Sequence, residues 1–196
     1  MNFQDFKPLA LRTEADSSNV KVNVAFLEVL LNMAFNVTAV VDDLKKNIYY
    51  DKPLDDNRID SILDAVIMQA AAARLSYKQF KNMPPEQLET LVRPVSEIMD
   101  ARYLHSVIGI FTEAGELLQT LGKQKGQLDL VNIAEETGDV FWYLALLSDS
   151  TGLDVENSMD MVINKLKSRY ADKFTTEEAI NRDLDTERQV LEDSSK

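Results

Sequence analysis

The chain has 196 residues, no cysteine and a formal net charge of −12. That length can bury a real core in one large domain or two small ones. The missing thiols exclude disulfides, thiolate metal sites and cysteine catalysis. The acidic balance argues against nucleic acid as a partner, because duplex binding needs Lys and Arg to neutralise phosphates. It leaves room for a polyphosphate only where cations reverse the local field.

Read from its start, Met1-Asn2-Phe3-Gln4-Asp5-Phe6 lacks a basic region followed by an apolar stretch, so no signal peptide is expected. No run of about twenty apolar residues is read, so no membrane span is expected either. A cytoplasmic location is the expectation that follows. Apolar residues then recur at helical spacing in Val20–Leu44, Ile59–Phe80, Leu88–Leu121, Leu130–Leu147 and Val155–Tyr170. The first of these is apolar on more than one face and predicts a buried helix. Asp51-Lys52-Pro53 and Met83-Pro84-Pro85 interrupt helices, and Gly122 and Gly126 bracket a loop. Thr151-Gly152 ends a helix before Asp154, a good N-cap, and Thr175 with Glu178 predicts a capping box opening the last helix. The polar stretch after Glu192 is expected to fray. Alternating strand patterns are missing, and the fold predicted is an all-α helical bundle. Met33, Met68, Met99, Met159 and Met161 are read as gap-filling core residues.

A faint internal repeat has an offset of 74 residues (112 − 38), pairing Thr38 with Thr112, Asp55 with Asp129, Ile59 with Ile133 and Val66 with Val140. Two readings stand: accidental similarity of two helical hairpins, or duplication of one unit. The chain accordingly divides into an N-terminal helical half, 1–95, and a second half, 96–196.

The second half carries two acidic pairs, Glu113 with Glu116 and Glu136 with Asp139. Residues three apart share a helix face, and a short link between the two helices makes them antiparallel neighbours, so the pairs can converge. Carboxylate oxygens are the hard ligands Mg²⁺ selects, bridging them to substrate phosphates. Two carboxylates about 4 Å apart repel by roughly 1 kcal/mol in water and about 4 kcal/mol at an effective dielectric near 20. Either a cation sits among the four or they splay into solvent. An isolated Glu-x-x-Glu is commonplace in a chain with 33 acidic residues and is usually a solvated face. Here, however, both pairs lie among apolar residues, and each contains a mid-helix glycine, Gly115 or Gly138, costing about 1 kcal/mol against alanine. Glycine is understandable there if helices or a ligand approach closely.

Thr112-Glu113-Ala114-Gly115-Glu116-Leu117, followed by Glu135-Glu136-x-Gly-Asp139-Val140-x-Trp142-Tyr143-Leu144, resembles the MazG-like all-α nucleoside triphosphate pyrophosphohydrolases. Their hallmark is Glu-x-x-Glu, a loop, then Glu-x-x-Asp. The likeness continues through Asn164-Lys165-Leu166-Lys167-Ser168-Arg169-Tyr170 and Phe174–Asp183, covering roughly Leu104–Leu191. The resemblance implies Glu113, Glu116, Glu136 and Asp139 as ligands to Mg²⁺, with Mn²⁺ as an alternative. It also implies Lys165 and Arg169 as phosphate-holding residues, Tyr170 beside them, and His105 near the base or sugar. Trp142 and Tyr143 are read as core, with at most one stacking on a base. Two departures fall at the phosphate end: Val162 stands where the family often has Asn, and Ala171 where proline is common.

The reaction implied is Mg²⁺-dependent hydrolysis of (deoxy)nucleoside triphosphates to the monophosphate and pyrophosphate, with Glu116 or Glu135 as general base. At the repeat offset the four acids correspond to Ala39, Asp42, Ile62 and Ala65, so a second metal site is not expected. Proteins resembling the family often pair hairpins from two subunits. A homodimer is therefore expected, although a degenerate hairpin fused in front would supply the partner from the same chain. The alternatives are a nucleotide-binding or helical interaction protein without turnover, and a related enzyme acting on phosphoribosyl-ATP.

Overall fold

The computed structural model describes residues 1–123, 128–170 and 173–194. Gly126 of the expected loop and Ala171 lie outside the described residues. The helices are α1 (Phe3–Ala10), α2 (Val24–Tyr50), α3 (Asp56–Lys81), α4 (Pro85–Leu91), α5 (Ala101–Lys123), α6 (Leu130–Thr151), α7 (Val155–Arg169), α8 (Thr176–Ile180) and α9 (Leu184–Ser194). The architecture is all-α, with one local exception. Strands β1 (Lys21–Asn23) and β2 (Val92–Pro94) pair as a two-stranded ladder that the sequence did not signal.

Pro94 explains both that ladder and the failure of Leu88–Leu121 to form one helix. It has no N–H to continue a helix and drives Arg93 into extended conformation. The chain leaves α4 at Val92 and re-enters helix only at Ala101. Asp100 opens α5 by accepting the Tyr103 N–H at 2.8 Å. Helix α1 went unread because Pro8 interrupts its pattern; Asn2 caps it, accepting from the Asp5 N–H. The expected caps form at Asp154, which accepts from Asn157, and at Gly152, whose φ of +72° suits glycine. Thr175 also caps as expected, but the helix it opens stops at Ile180 and a second begins at Leu184, so the last helix is two.

The chain forms two compact units. The first comprises Met1–Val20, Pro94–Asn164 and Leu191–Lys196, and the second Lys21–Arg93 and Lys165–Val190. In the first unit α5 and α6 pack closely along small residues. Ser106 and Ala145 are fully buried, as is Leu146. Gly109 is required there, since a Cβ would stand 2.1 Å from the Tyr143 ring. Gly115 and Gly138 face open space instead, so close helix approach does not account for them.

In the second unit α2 and α3 form the other hairpin, tied by Asn36 Nδ2 donating to Gln69 Oε1 at 3.1 Å and by Arg58 paired with Asp43 at 2.7 Å. The expectation of a buried α2 is corrected: no residue of it is buried, and Phe35 is 71% and Ile48 62% exposed. An all-round apolar helix packed mainly along α3, with only slight contact to α8 and β1, leaves its other faces to solvent. By length and composition α2 is also apolar enough to cross a membrane, contrary to the reading that no segment qualifies. Of the methionines read as core, Met68, Met99 and Met159 are exposed, while Met33 and Met161 are half-buried.

Candidate metal centre and the cavity beside it

Helix α6 begins at Asp129, whose carboxylate accepts from the Val131 and Asn132 N–H groups, and this start sets the rotation of Glu136 toward α5. Helix α5 presents Glu113 and Glu116 one turn apart. Carboxylate oxygens of Glu113, Glu116 and Glu136 all lie within 4.8 Å of one another. Glu136 is only 6% exposed, Glu113 is half-buried and Glu116 is exposed. Burial lifts the Glu136 carboxyl above its ordinary range, and the Glu116 charge and the proximity of Glu113 push in the same direction. No basic side chain joins the three in the ion pairs among the described residues. Three oxygen donors with an unrelieved negative charge fit a hard divalent cation.

Asp139, the fourth ligand implied by the family resemblance, stands outside this group and lines an adjoining cavity of about 420 Å³. Thr13, Ala15, His105, Glu113, Trp142 and Tyr143 complete that lining. The lining is acidic at Glu113 and Asp139, aromatic at His105, Trp142 and Tyr143, and small at Thr13 and Ala15. His105, Trp142 and Tyr143 meet edge to face, with centroids 6.0, 5.5 and 5.0 Å apart. Burial raises the Tyr143 hydroxyl pKa, helped by the Glu113 and Asp139 charges. Trp142 and Tyr143 are thus half-buried lining groups as well as packing residues. Glu135 is exposed on α6 and is not one of the clustered acids.

Lys165, Arg169 and Tyr170 belong to the second unit. Arg169 donates from Nε and Nη2 to the two oxygens of Glu187, both at 2.7 Å, and lies 5.5 Å from the Tyr170 ring centroid. Arg182 joins the same carboxylate. Glu187 is 5% exposed, and the hydrogen bonds from Arg182 and Arg169 hold it at about 2. Tyr170 stacks in tilted fashion on Phe174, which also meets Tyr50. Lys165 is half-buried.

Sequence reading missed Glu187, whose spacing from Arg169 carries no motif of its own. It also missed Thr13 and Ala15, which reach the cavity only through tertiary packing of the N-terminal segment.

Residues 104–174 match the family model of the MazG nucleotide pyrophosphohydrolase domain. The match spans all of the clustered carboxylates and ends before Glu187 and the residues beyond it. No curated protein and no solved structure matches the chain.

Proposed function

We propose, on the MazG domain match at residues 104–174, that the chain hydrolyses (deoxy)nucleoside triphosphates to the monophosphate and pyrophosphate with Mg²⁺, or Mn²⁺, as cofactor. The observation that carries this reading is the convergence of Glu113, Glu116 and Glu136 inside the matched residues, with Glu136 buried and no basic partner among the ion pairs of the described residues. A bound divalent cation supplies Lewis acidity, lowering the pKa of an attacking water and offsetting charge on the phosphoryl oxygens.

The protein's own groups do the rest. Glu113, Glu116 and Glu136 would hold the cation, with Asp139, on the cavity side, as the fourth ligand that the family resemblance implies. Glu116, the exposed member, accepts the proton of the attacking water; Glu135 is the second candidate for that role. The new bond forms between water oxygen and the α-phosphorus, while the bond to the bridging oxygen breaks and its electron pair leaves on pyrophosphate. Lys165 and Arg169 would stabilise that leaving group, with Tyr170 beside them. His105 would face the base or sugar. The reading includes a homodimer, supported by the exposed stripe Val37, Val41, Leu44 and Ile48 along α2, spaced like a helix-packing seam.

Pyrophosphate release from a panel of ribo- and deoxyribonucleoside triphosphates, with and without Mg²⁺, tests the reading against Glu116→Ala. Release that needs the cation and vanishes in the variant is the expected result. A folded native protein that releases none from any triphosphate would overturn the hydrolase reading in favour of binding without turnover.

A further inference from the structure

We propose that the segment Leu11–Ala15, which precedes the family match, is a selectivity wall of the nucleotide site, and that Thr13 acts as its positioning residue by fixing the Trp142 indole. This rests on the hydrolase reading above, because it assigns the aromatic part of the 420 Å³ cavity to the nucleoside end of the triphosphate. The division follows from charge. Glu113 and Asp139 repel phosphates unless a cation intervenes, whereas His105, Trp142 and Tyr143 offer the flat aromatic surfaces on which bases stack.

The indole is unusually well held. Its Nε1–H is shared between the Ala10 carbonyl at 2.9 Å and Thr13 Oγ at 3.0 Å. Thr13 Oγ–H in turn donates to the same carbonyl at 2.9 Å. The segment supplying these acceptors is anchored on both sides. Ala10 is buried, and the next residue but three, Glu14, grips Arg102 of α5 in a two-pronged ion pair at 2.6 and 2.8 Å. Arg102 also reaches Asp149 of α6 at 2.8 Å. Thr13 and Ala15, flanking that anchor, face the cavity. A wall clamped to both helices of the metal hairpin fixes the width of the space left for a base. Pre-organisation of this kind acts on ground-state binding and on discrimination between bases, not on the phosphoryl chemistry itself.

Trp142 is the protein's single tryptophan, so its emission reports on this site alone. The test titrates the native protein, with Mg²⁺, with triphosphates of the four bases carrying an α,β-methylene bridge that cannot be cleaved. Steady-state kinetics on the cleavable nucleotides run in parallel. Quenching of Trp142 should be strongest with the base that shows the lowest KM. Thr13→Val, which keeps shape and removes the hydroxyl, should raise KM for that base about five- to tenfold, the range expected for one lost hydrogen bond. Its kcat should stay within about twofold, and the spread of KM across bases should narrow. Thr13→Ser should restore the native selectivity. Should Thr13→Val fail to fold, Trp142→Phe, which removes the same N–H, should give the same kinetic pattern. An active native protein whose base preference survives both variants would overturn the inference while leaving the hydrolase reading intact. So would loss of kcat and KM equally for every base, the pattern of a merely structural contact. No release by the native protein is the separate outcome that removes the parent reading.

Discussion

In the hairpin α2–α3, the one acid retained at the 74-residue offset (116 − 42) is Asp42, and it is met by Lys45 and Lys46 of its own helix. Their hydrogen bonds hold its carboxyl down at about 2. In α5–α6, Glu113, Glu116 and Glu136 converge with no lysine or arginine paired to them among the described residues, and Glu136 is pushed up instead. Both hairpins open their second helix on an aspartate cap at the same offset, Asp55 and Asp129. The scaffolds match, while the electrostatic solution differs. One hairpin carries its cations in the sequence; the other, on the proposed reading, takes one from outside. The packing differs at the same register. Gly109 admits the Tyr143 ring, whereas the corresponding Phe35 points to solvent and Gln69 bonds Asn36.

The sharpest way to break this contrast is to give one hairpin the other's residue. Glu136→Ile, the residue at the matching position 62, should reduce metal-dependent pyrophosphate release at least about 100-fold, the upper range for disturbed metal sites. Asp42→Ala should leave turnover unchanged; equal losses in the two would sink the distinction. Next in size is packing. Gly109→Ala should cost about 1–3 kcal/mol in chemical denaturation, because the Tyr143 ring must move. Gly138→Ala, facing open space, should instead add up to about 1 kcal/mol.

A third test concerns pH. A carboxyl whose folded pKa is raised opposes folding when ionised. The penalty is absent below its ordinary range and grows as pH rises through the folded value. Metal-free protein should therefore gain stability in Glu136→Gln at neutral pH, while losing the Tm increase that Mg²⁺ gives the native chain. That increase should shrink as pH falls through the raised Glu136 pKa, because proton and cation compete for one carboxylate. An Mg²⁺ effect of the same size in Glu136→Gln would rule out this coupling. The smallest effect belongs to the lysines: Lys45→Ala should cost only a few tenths of a kcal/mol by thermal melt, as for other exposed pairs one turn apart.

Much of this was legible because it is local. Helical periodicity placed both hairpins, and the i, i+3 spacing placed Glu113 and Glu116 on one face. Caps at Asp154, Gly152 and Thr175 follow from side-chain chemistry within four residues. What escaped was tertiary. Gly115 and Gly138 attracted notice because they sit beside acids, yet the glycine that packing demands is Gly109, identifiable only once Tyr143 is known to lie against it. A single backbone constraint at Pro94 outweighed the apolar period on either side of it. Thr13 and Trp142 are 129 residues apart, and no spacing rule connects them. The apolar faces of α2 carry the composition of a core helix, and composition does not say whether a neighbour in the same chain covers them.

The Glu14–Arg102 clamp also bears on how the chain comes together during synthesis. Its partners are 88 residues apart, and the Trp142–Ala10 bond spans 132. The first unit is built from three separate stretches and the second from two, so the second is not whole until translation has passed Val190, and the first not until it has gone beyond that. The early segment must wait for α5 and α6 to emerge before Ala10, Thr13 and Glu14 meet their partners. Long closures of this kind slow folding and lengthen exposure to aggregation. A growing chain of this protein should depend on chaperones most during the interval between synthesis of the Leu11–Ala15 segment and release of α6.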